Sequence, residues 1–518
     1  MRIVNETTAG RISGYTAQGV IAFKGIPYAA APLPPHRFKA PLPVAPWEGV
    51  RDARSFPNQA RQILFPFLDP AQAGNPANGA SLEFHRGVET KPIPYSEDCL
   101  ALNVWTPATG GKRPVMVWLH GGGFASGSGS WGWWTGEDLA RNQDVVVVTL
   151  NHRLNIFGFL YLDELGGAAH GLAGNAGMRD IIAALEWIRD NIANFGGDAE
   201  NVTIFGQSGG GMKVTTLLAM PAAQGLFHKA IVQSGPFLRA VPRARATAAA
   251  EQALHRLGIK PGHLEDLQTV PDDAILAAFA AAREGAPGVL RQFAPVIDGA
   301  TLPSDPFEPA ATPLAAGIPM LIGATSEEVT SLTGFGDPSI FSLSASDLPR
   351  RIADACEIDI GTAKSVIATY RANRPKATPS QLYADIESDR RFGQGSITQA
   401  ERQSAHAPVY AYRLTWQSPV QGGRMGAPHN LCLPLVFGRD RAPGVTGDGT
   451  AHHALAAAMQ TAWASFARTG TPNHPGLPDW PSFDTTRRAT MILDAECRIT
   501  DNPDATERTA QQALPPRL

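Results

Sequence analysis

The sequence predicts an α/β protein with a large, mostly parallel, twisted central sheet flanked by helices. Three observations carry that expectation. Residues 115–119 and 145–148 are apolar throughout, as strands buried on both faces of a parallel sheet must be. Residues 179–194 place Ile181, Leu185, Ile188 and Ile192 on one helical face, so a helix follows those strands and packs on them. Residues 201–205 then alternate Val202 and Ile204 with Thr203, before a glycine-rich turn and a second helical stretch at 212–220. Strand alternating with helix is the pattern of a sheet covered on both faces.

The chain opens with a strand and turn over 19–27, then an irregular stretch to Trp47 punctuated by Pro32, Pro34 and Pro35. Residues 57–95, rich in Pro, Asn, Ala and Gly, read as a long excursion and not as a linker between domains. Further strands are expected at 102–105, 145–150, 230–233, 320–324, 409–414 and 491–493. Two Ala-rich helical segments, about 240–315 and 340–405, interrupt the strand spacing as helices inserted over a sheet edge or an active-site mouth would. The 518 residues are accordingly expected to form one domain, 1–518.

Composition excludes several classes. A formal net charge of −3 with no basic run gives no electrostatic case for nucleic acid. No window approaches the about eighteen consecutive apolar residues of a membrane-spanning helix, so no membrane partner is expected. The first residues, Met-Arg-Ile-Val-Asn-Glu, lack the apolar core of a signal peptide. A cytoplasmic protein is therefore expected, secretion or a periplasmic location being reserved for a trimmed signal. Cys99, Cys356, Cys432 and Cys497 are too few for a disulfide scaffold, and none has metal-ligand spacing, so no metal is expected. Gly127, Gly129 and Gly132 match Gly-x-Gly-x-x-Gly, but well past their strand and without the later acidic residue that a dinucleotide site needs.

The chemistry concentrates at two glycine-rich turns. Phe205-Gly206-Gln207-Ser208-Gly209-Gly210-Gly211 follows a strand and precedes a helix, the layout of a nucleophile elbow. Small neighbours permit the strained backbone that lifts the Ser208 hydroxyl clear of the sheet, above the positive end of the next helix. The run at 115–119 ends in His120-Gly121-Gly122-Gly123-Phe124, where backbone N–H groups can turn inward with no side chain in the way. That is what stabilising a tetrahedral oxyanion requires. Together the two turns imply acyl transfer by a serine nucleophile, with no cofactor.

In this arrangement an acid and then a histidine follow the nucleophile. Of the 13 histidines, His429 lies in a turn after the expected strand at 409–414; His406 precedes that strand, His452 and His453 begin a helix, and His474 sits in a surface-like turn. The acid should follow the strand at 320–324, at Glu327 or Glu328. Adjacent side chains point different ways, so only one can serve, and position alone leaves the choice open.

The chain resembles the type-B carboxylesterases, an α/β-hydrolase family that includes cholinesterases and bacterial para-nitrobenzyl esterases, nearly end to end. Residues 23–29 (Phe-Lys-Gly-Ile-Pro-Tyr-Ala), Arg37-Phe38 and residues 97–104 (Glu-Asp-Cys-Leu-Ala-Leu-Asn-Val) carry its N-terminal motifs. Asn151-His152-Arg153-Leu154, residues 174–177 (Gly-Asn-Ala-Gly), residues 195–198, residues 295–299 (Pro-Val-Ile-Asp-Gly) and residues 463–473 continue the match. The resemblance implies hydrolysis of small to medium, hydrophobic carboxylic esters through an acyl-enzyme, by a monomer or homodimer without cofactor. It assigns the triad to Ser208, Glu328 and His429, and the oxyanion donors to Gly122, Gly123 and Gly209. Phe124, Trp131, Trp133, Trp134, Phe65, Phe67 and Phe237 are candidates to line an apolar pocket. A carbamate or amide hydrolase with the same triad is the alternative; a non-catalytic, cholinesterase-like binding module is disfavoured by the intact triad.

The departures from the family pattern are specific. Gly209 replaces the usual alanine, which is expected to loosen the elbow, and Lys213 stands where serine is common. Val329 follows the acid in place of glycine, and Cys432 replaces a carboxylate after the histidine, so the histidine loop needs other support. Ala60 occupies the position of the cysteine that would pair with Cys99, so no disulfide and an intracellular setting are expected.

Overall fold

The structure, a computed structural model, describes residues 1–63, 79–88, 93–166, 172–260, 262–284, 292–438, 440–512 and 514–515. The chain divides into two compact units: Met1–Leu64, Glu89–Ile231 and Phe237–Ile318 form the first, and Phe65–Val88, Val232–Pro236 and Pro319–Leu518 the second. None of the described helices is long and apolar enough to cross a membrane.

In the first unit β1 (Arg2–Thr7), β2 (Gly10–Ala17), β3 (Val20–Pro27), β4 (Ala101–Thr106), β5 (Arg113–Leu119), β6 (Val146–Leu150) and β7 (Gly197–Gln207) lie in the order β1-β2-β3-β4-β6-β5-β7. The pairs from β1 through β4 to β6 are antiparallel; β6, β5 and β7 run parallel. The change follows the connections. Short turns join β1, β2 and β3, whereas parallel pairing needs crossovers such as the helix Ala176–Asn191 before β7. That helix starts three residues earlier than its apolar face suggests, and Ile181, Leu185, Ile188 and Ile192 are all fully buried. The register pairs Leu119 of β5 with Gly206 of β7, so the two glycine-rich turns leave the sheet side by side. The helices Arg243–Arg256 and Asp272–Glu284 fall in the first inserted segment.

In the second unit β9 (Met320–Thr325), β10 (Val409–Leu414) and β11 (Ala489–Leu493) are parallel, and β12 (Arg498–Asp501) closes the edge antiparallel. (The strand Lys229–Gln233 is β8 by position.) The helices Leu348–Cys356, Ile360–Asn373, Pro379–Ser388 and Gln394–Ser404 occupy the second inserted segment. Ile352, Tyr370, Leu382 and Ile386 from three of them share one core with Val329. Thr325 pairs with Leu414, so β9 and β10 end level and the turns that follow them meet.

Candidate active site

The elbow is as tight as its glycines allow. Ser208 follows β7 at φ 57°, ψ −126°, a positive-φ conformation that a residue with a side chain adopts only under constraint. A Cβ on Gly206 would overlap the Gly210 backbone, and one on Gly210 would overlap the carbonyl of Leu119. The following helix, Gly209–Leu217, begins at once and not at residue 212, with Gly209 and Gly210 selected by close approach over helix propensity. Ser208 caps it and stays half-buried.

The glycine loop lies against that helix. Gly122 and Gly123 adopt φ of +90° and +62°, and among the described residues neither N–H has an acceptor. Gly209, as the first helical residue, has no intrahelical acceptor for its N–H. A Cβ on Gly209 would overlap the Gly123 backbone, so the expectation that glycine loosens the elbow is corrected: its missing side chain lets the two turns touch. Beneath the loop the His120 and His152 rings stack at 4.9 Å, interplanar 12°, with their Nδ1 atoms bonded to the carbonyls of Gly121 (2.9 Å) and Arg153 (2.8 Å). Burial, and then the charge of Lys213, push both imidazoles well below their ordinary pKa, so they are neutral donors there.

In the second unit the structure brings Glu328 and His429 together. Glu328 Oε2 is hydrogen-bonded to His429 Nδ1, and Oε1 accepts the Thr325 N–H at 2.9 Å. Both side chains are buried. Phe392 lies against the imidazole with ring centroids 5.1 Å apart, and Ser331 Oγ donates to the His429 carbonyl at 3.4 Å. Val329, next to the acid, is fully buried, and its N–H donates to Ser388 Oγ at 3.2 Å.

Glu327 turns the other way. Its Oε2 accepts the Ala427 N–H (2.7 Å), Ser326 Oγ (2.6 Å) and Gln417 Nε2 (3.3 Å), while its own N–H donates to the Ala427 carbonyl (3.1 Å). Burial raises its pKa against those hydrogen bonds. This carboxylate, with Thr330 Oγ1 on the Met425 carbonyl at 2.7 Å, secures the loop that carries His429. Sequence reasoning missed this support. The signal was the change to Cys432, a fully buried thiol whose pKa is driven far up by burial and then by Glu328.

The pocket candidates separate. Trp131 and Trp134 are in contact (5.5 Å), Trp134 packs on Trp118 (5.9 Å), and their indole N–H groups donate to Gln59 Oε1 (2.7 Å) and the Ser128 carbonyl (2.9 Å). That is internal packing, as is the burial of Trp133. Phe124, in the glycine loop's continuation, faces the half-buried Phe237 at 5.7 Å. Phe65 and Phe67 lie outside the described residues. Gly127 and Gly129, from the Gly-x-Gly-x-x-Gly match, donate to Gln62 Oε1 and Asn151 Oδ1, both at 2.8 Å, so that loop already has partners.

Several further motif residues prove to be staples. Arg37 forms a two-pronged pair with Glu97 (2.7 and 2.5 Å), Arg153 with Asp180 (2.8 and 2.6 Å), and Asn175 exchanges hydrogen bonds with the Val296 backbone (2.8 and 2.9 Å). None of the four cysteines is joined in a disulfide, and Cys99, Cys356 and Cys432 are buried.

The Carboxylesterase family profile matches residues 2–511. The chain is 37% identical to a para-nitrobenzyl esterase of Bacillus subtilis (strain 168), covering 97% of each chain, and 33% identical to a phenmedipham hydrolase of Pseudarthrobacter oxydans, covering 96% of each. Among solved structures it is similar to a Geobacillus stearothermophilus carboxylesterase, with a TM-score of 0.82 and 39% identity over 98% of this chain and 100% of that one. The chain belongs to the carboxylesterase family, serine hydrolases of carboxylic esters built on the α/β-hydrolase fold.

Proposed function

We propose that the chain hydrolyses small to medium, hydrophobic carboxylic esters through an acyl-enzyme formed on Ser208, with His429 as the base and Glu328 as its orienting acid. The observation that carries this reading is Ser208 held at positive φ beside three backbone N–H groups, of Gly122, Gly123 and Gly209. Ser208 Oγ attacks the ester carbonyl as His429 Nε2 takes its proton, and the carbonyl oxygen, now negative, is received by those N–H groups. Glu328 on Nδ1 fixes the tautomer in which Nε2 is unprotonated and can take the proton, and it stabilises the imidazolium once formed. His429 then protonates the departing alcohol, and water repeats the two steps to release the acid. The Phe124 and Phe237 rings beside the glycine loop supply an apolar wall for the substrate.

The test is hydrolysis of para-nitrophenyl esters of increasing chain length by the wild type and Ser208→Ala, with a fluorophosphonate as covalent label. The expected result is wild-type turnover, label on Ser208 alone, and a loss of several orders of magnitude in the variant. Label at another residue, or more than about a tenth of wild-type activity in Ser208→Ala, overturns the assignment.

A further inference from the structure

Lys213 is a fully buried lysine five residues into the helix that Ser208 caps. Its position is costly on two counts. Burial alone pushes its pKa down to about 7, and no carboxylate among the described residues pairs with it. A cation this near a helix N-terminus also meets the positive end of the helix dipole. The titratable groups that face it, His120 from the turn after β5 and His152 from the turn after β6, are basic and lie in the same buried layer. What the amine does there is specific. Nζ donates to the His120 carbonyl at 2.8 Å and to the Gly123 carbonyl at 2.9 Å, the two ends of the loop whose middle offers the Gly122 and Gly123 N–H groups. The Phe124 ring covers it, 5.6 Å away.

We propose that Lys213 is a positioning residue for the oxyanion loop, tying both ends of residues 120–123 to the elbow helix so that the loop's N–H groups keep their aim. The inference rests on the reading of Ser208 as nucleophile. The reason is geometric. A run of three glycines has more backbone freedom than any other tripeptide, and aimed donors act only if they need not reorganise during the reaction. Serine, common at this position in the family, is too short to span both carbonyls. An amine with two N–H groups serves both carbonyls whether or not it carries a proton, so the clamp survives the titration of Lys213. The close approach that Gly209 permits is what brings the Gly123 carbonyl within reach.

The experiment compares Lys213→Met and Lys213→Gln with the wild type in the full chain. It reads kcat, KM, thermal midpoint and the Ki of a trifluoromethyl ketone, whose hemiketal with Ser208 Oγ mimics the tetrahedral intermediate. Methionine fills the space without a donor; kcat should fall about a hundredfold with KM within about threefold, and Ki should rise by the same factor as kcat falls. Glutamine, able to serve one carbonyl, should lose about tenfold in kcat alone, a partial rescue. Should Lys213→Met fail to fold, the tenfold kcat loss at constant KM in Lys213→Gln carries the inference. Wild-type kcat in a folded Lys213→Met or Lys213→Gln, a rise in KM matching the loss, or an unchanged Ki overturns it. A wild type that neither turns over para-nitrophenyl esters nor takes the phosphonate at Ser208 refutes the triad reading instead, so the two failures are distinct.

Discussion

Gly209 and Gly123 touch backbone to backbone, and no side chain fits between them. One opens the helix behind Ser208, the other belongs to the glycine loop, and the contact sets the N–H groups of both turns beside each other. The relationship follows from register. β5 and β7 are parallel neighbours with Leu119 level with Gly206, so each strand delivers its turn at the same height.

Gly209→Ala tests that contact. Although alanine is common here in the family, its methyl would overlap the Gly123 backbone in this chain, and the loop must move to admit it. Turnover of a para-nitrophenyl ester should drop by about tenfold or more while KM changes little, because donors pushed off the developing oxyanion cost the transition state and not the substrate. A variant as fast as the wild type would show that the loop yields at no cost.

The two glutamates after β9 make a second pair of expectations. Glu328→Gln should lower turnover by roughly a thousandfold or more, since an amide against Nδ1 favours the wrong imidazole tautomer. Glu327→Gln should cost less than about tenfold in rate, because a side chain that bonds Ala427 N–H can still accept through its amide oxygen. Burial already disfavours the charge of Glu327, so losing that charge should leave the thermal midpoint nearly unchanged. A larger rate loss at Glu327 than at Glu328 would reverse the roles.

Much of this arrangement was legible in the sequence, and the reason is local. Strands announce themselves by burial on both faces, and turns that need positive φ or close approach announce themselves by glycine; residues 115–123 and 201–211 carry both signals. The choice between Glu327 and Glu328 was not legible from the residues, because it depends on which side of one turn faces the loop after β10. Lys213 was visible only as an odd residue. Its partners are carbonyls of a segment some ninety positions earlier, and main-chain acceptors leave no trace in side-chain pattern. The tryptophans stayed open between pocket and core for a related reason. Composition reports apolar surface but not whether it faces a substrate or Trp118.

The cysteines give a separate check. Cys99 and Cys432 are fully buried and their thiols are driven up chiefly by burial, Cys356 donates to Glu387 Oε1 at 3.4 Å, and Cys497 alone is half-exposed. Titration of the native protein with an aromatic disulfide should find one accessible thiol, at Cys497, reacting slowly because burial raises its pKa too. Denaturation without reductant should release all four. Two missing thiols under denaturing conditions would establish a disulfide that the structure does not contain.

Lys213 supplies a dependence of stability on pH whose sign can be fixed. Its folded pKa is lowered to about 7 by burial, whereas in the unfolded chain the amine returns to about 10.4. Below about pH 7 both states carry the proton and the full cost of the buried charge is present. Between about pH 7 and 10.4 the unfolded state holds the proton that the folded state has released, so the stability contributed by this position rises with pH. Lys213→Met never carries that charge. Its thermal midpoint should therefore exceed that of the wild type most at pH 6.5, and the gap should narrow steadily by pH 9. Measurement of both midpoints across that range decides the matter, because other titrating groups act equally on the two proteins and cancel in the difference. A gap that stays constant, or that widens with pH, would mean that the amine keeps its proton in the folded protein throughout, as a solvated or charge-paired ammonium would, and that its pKa is not lowered by burial.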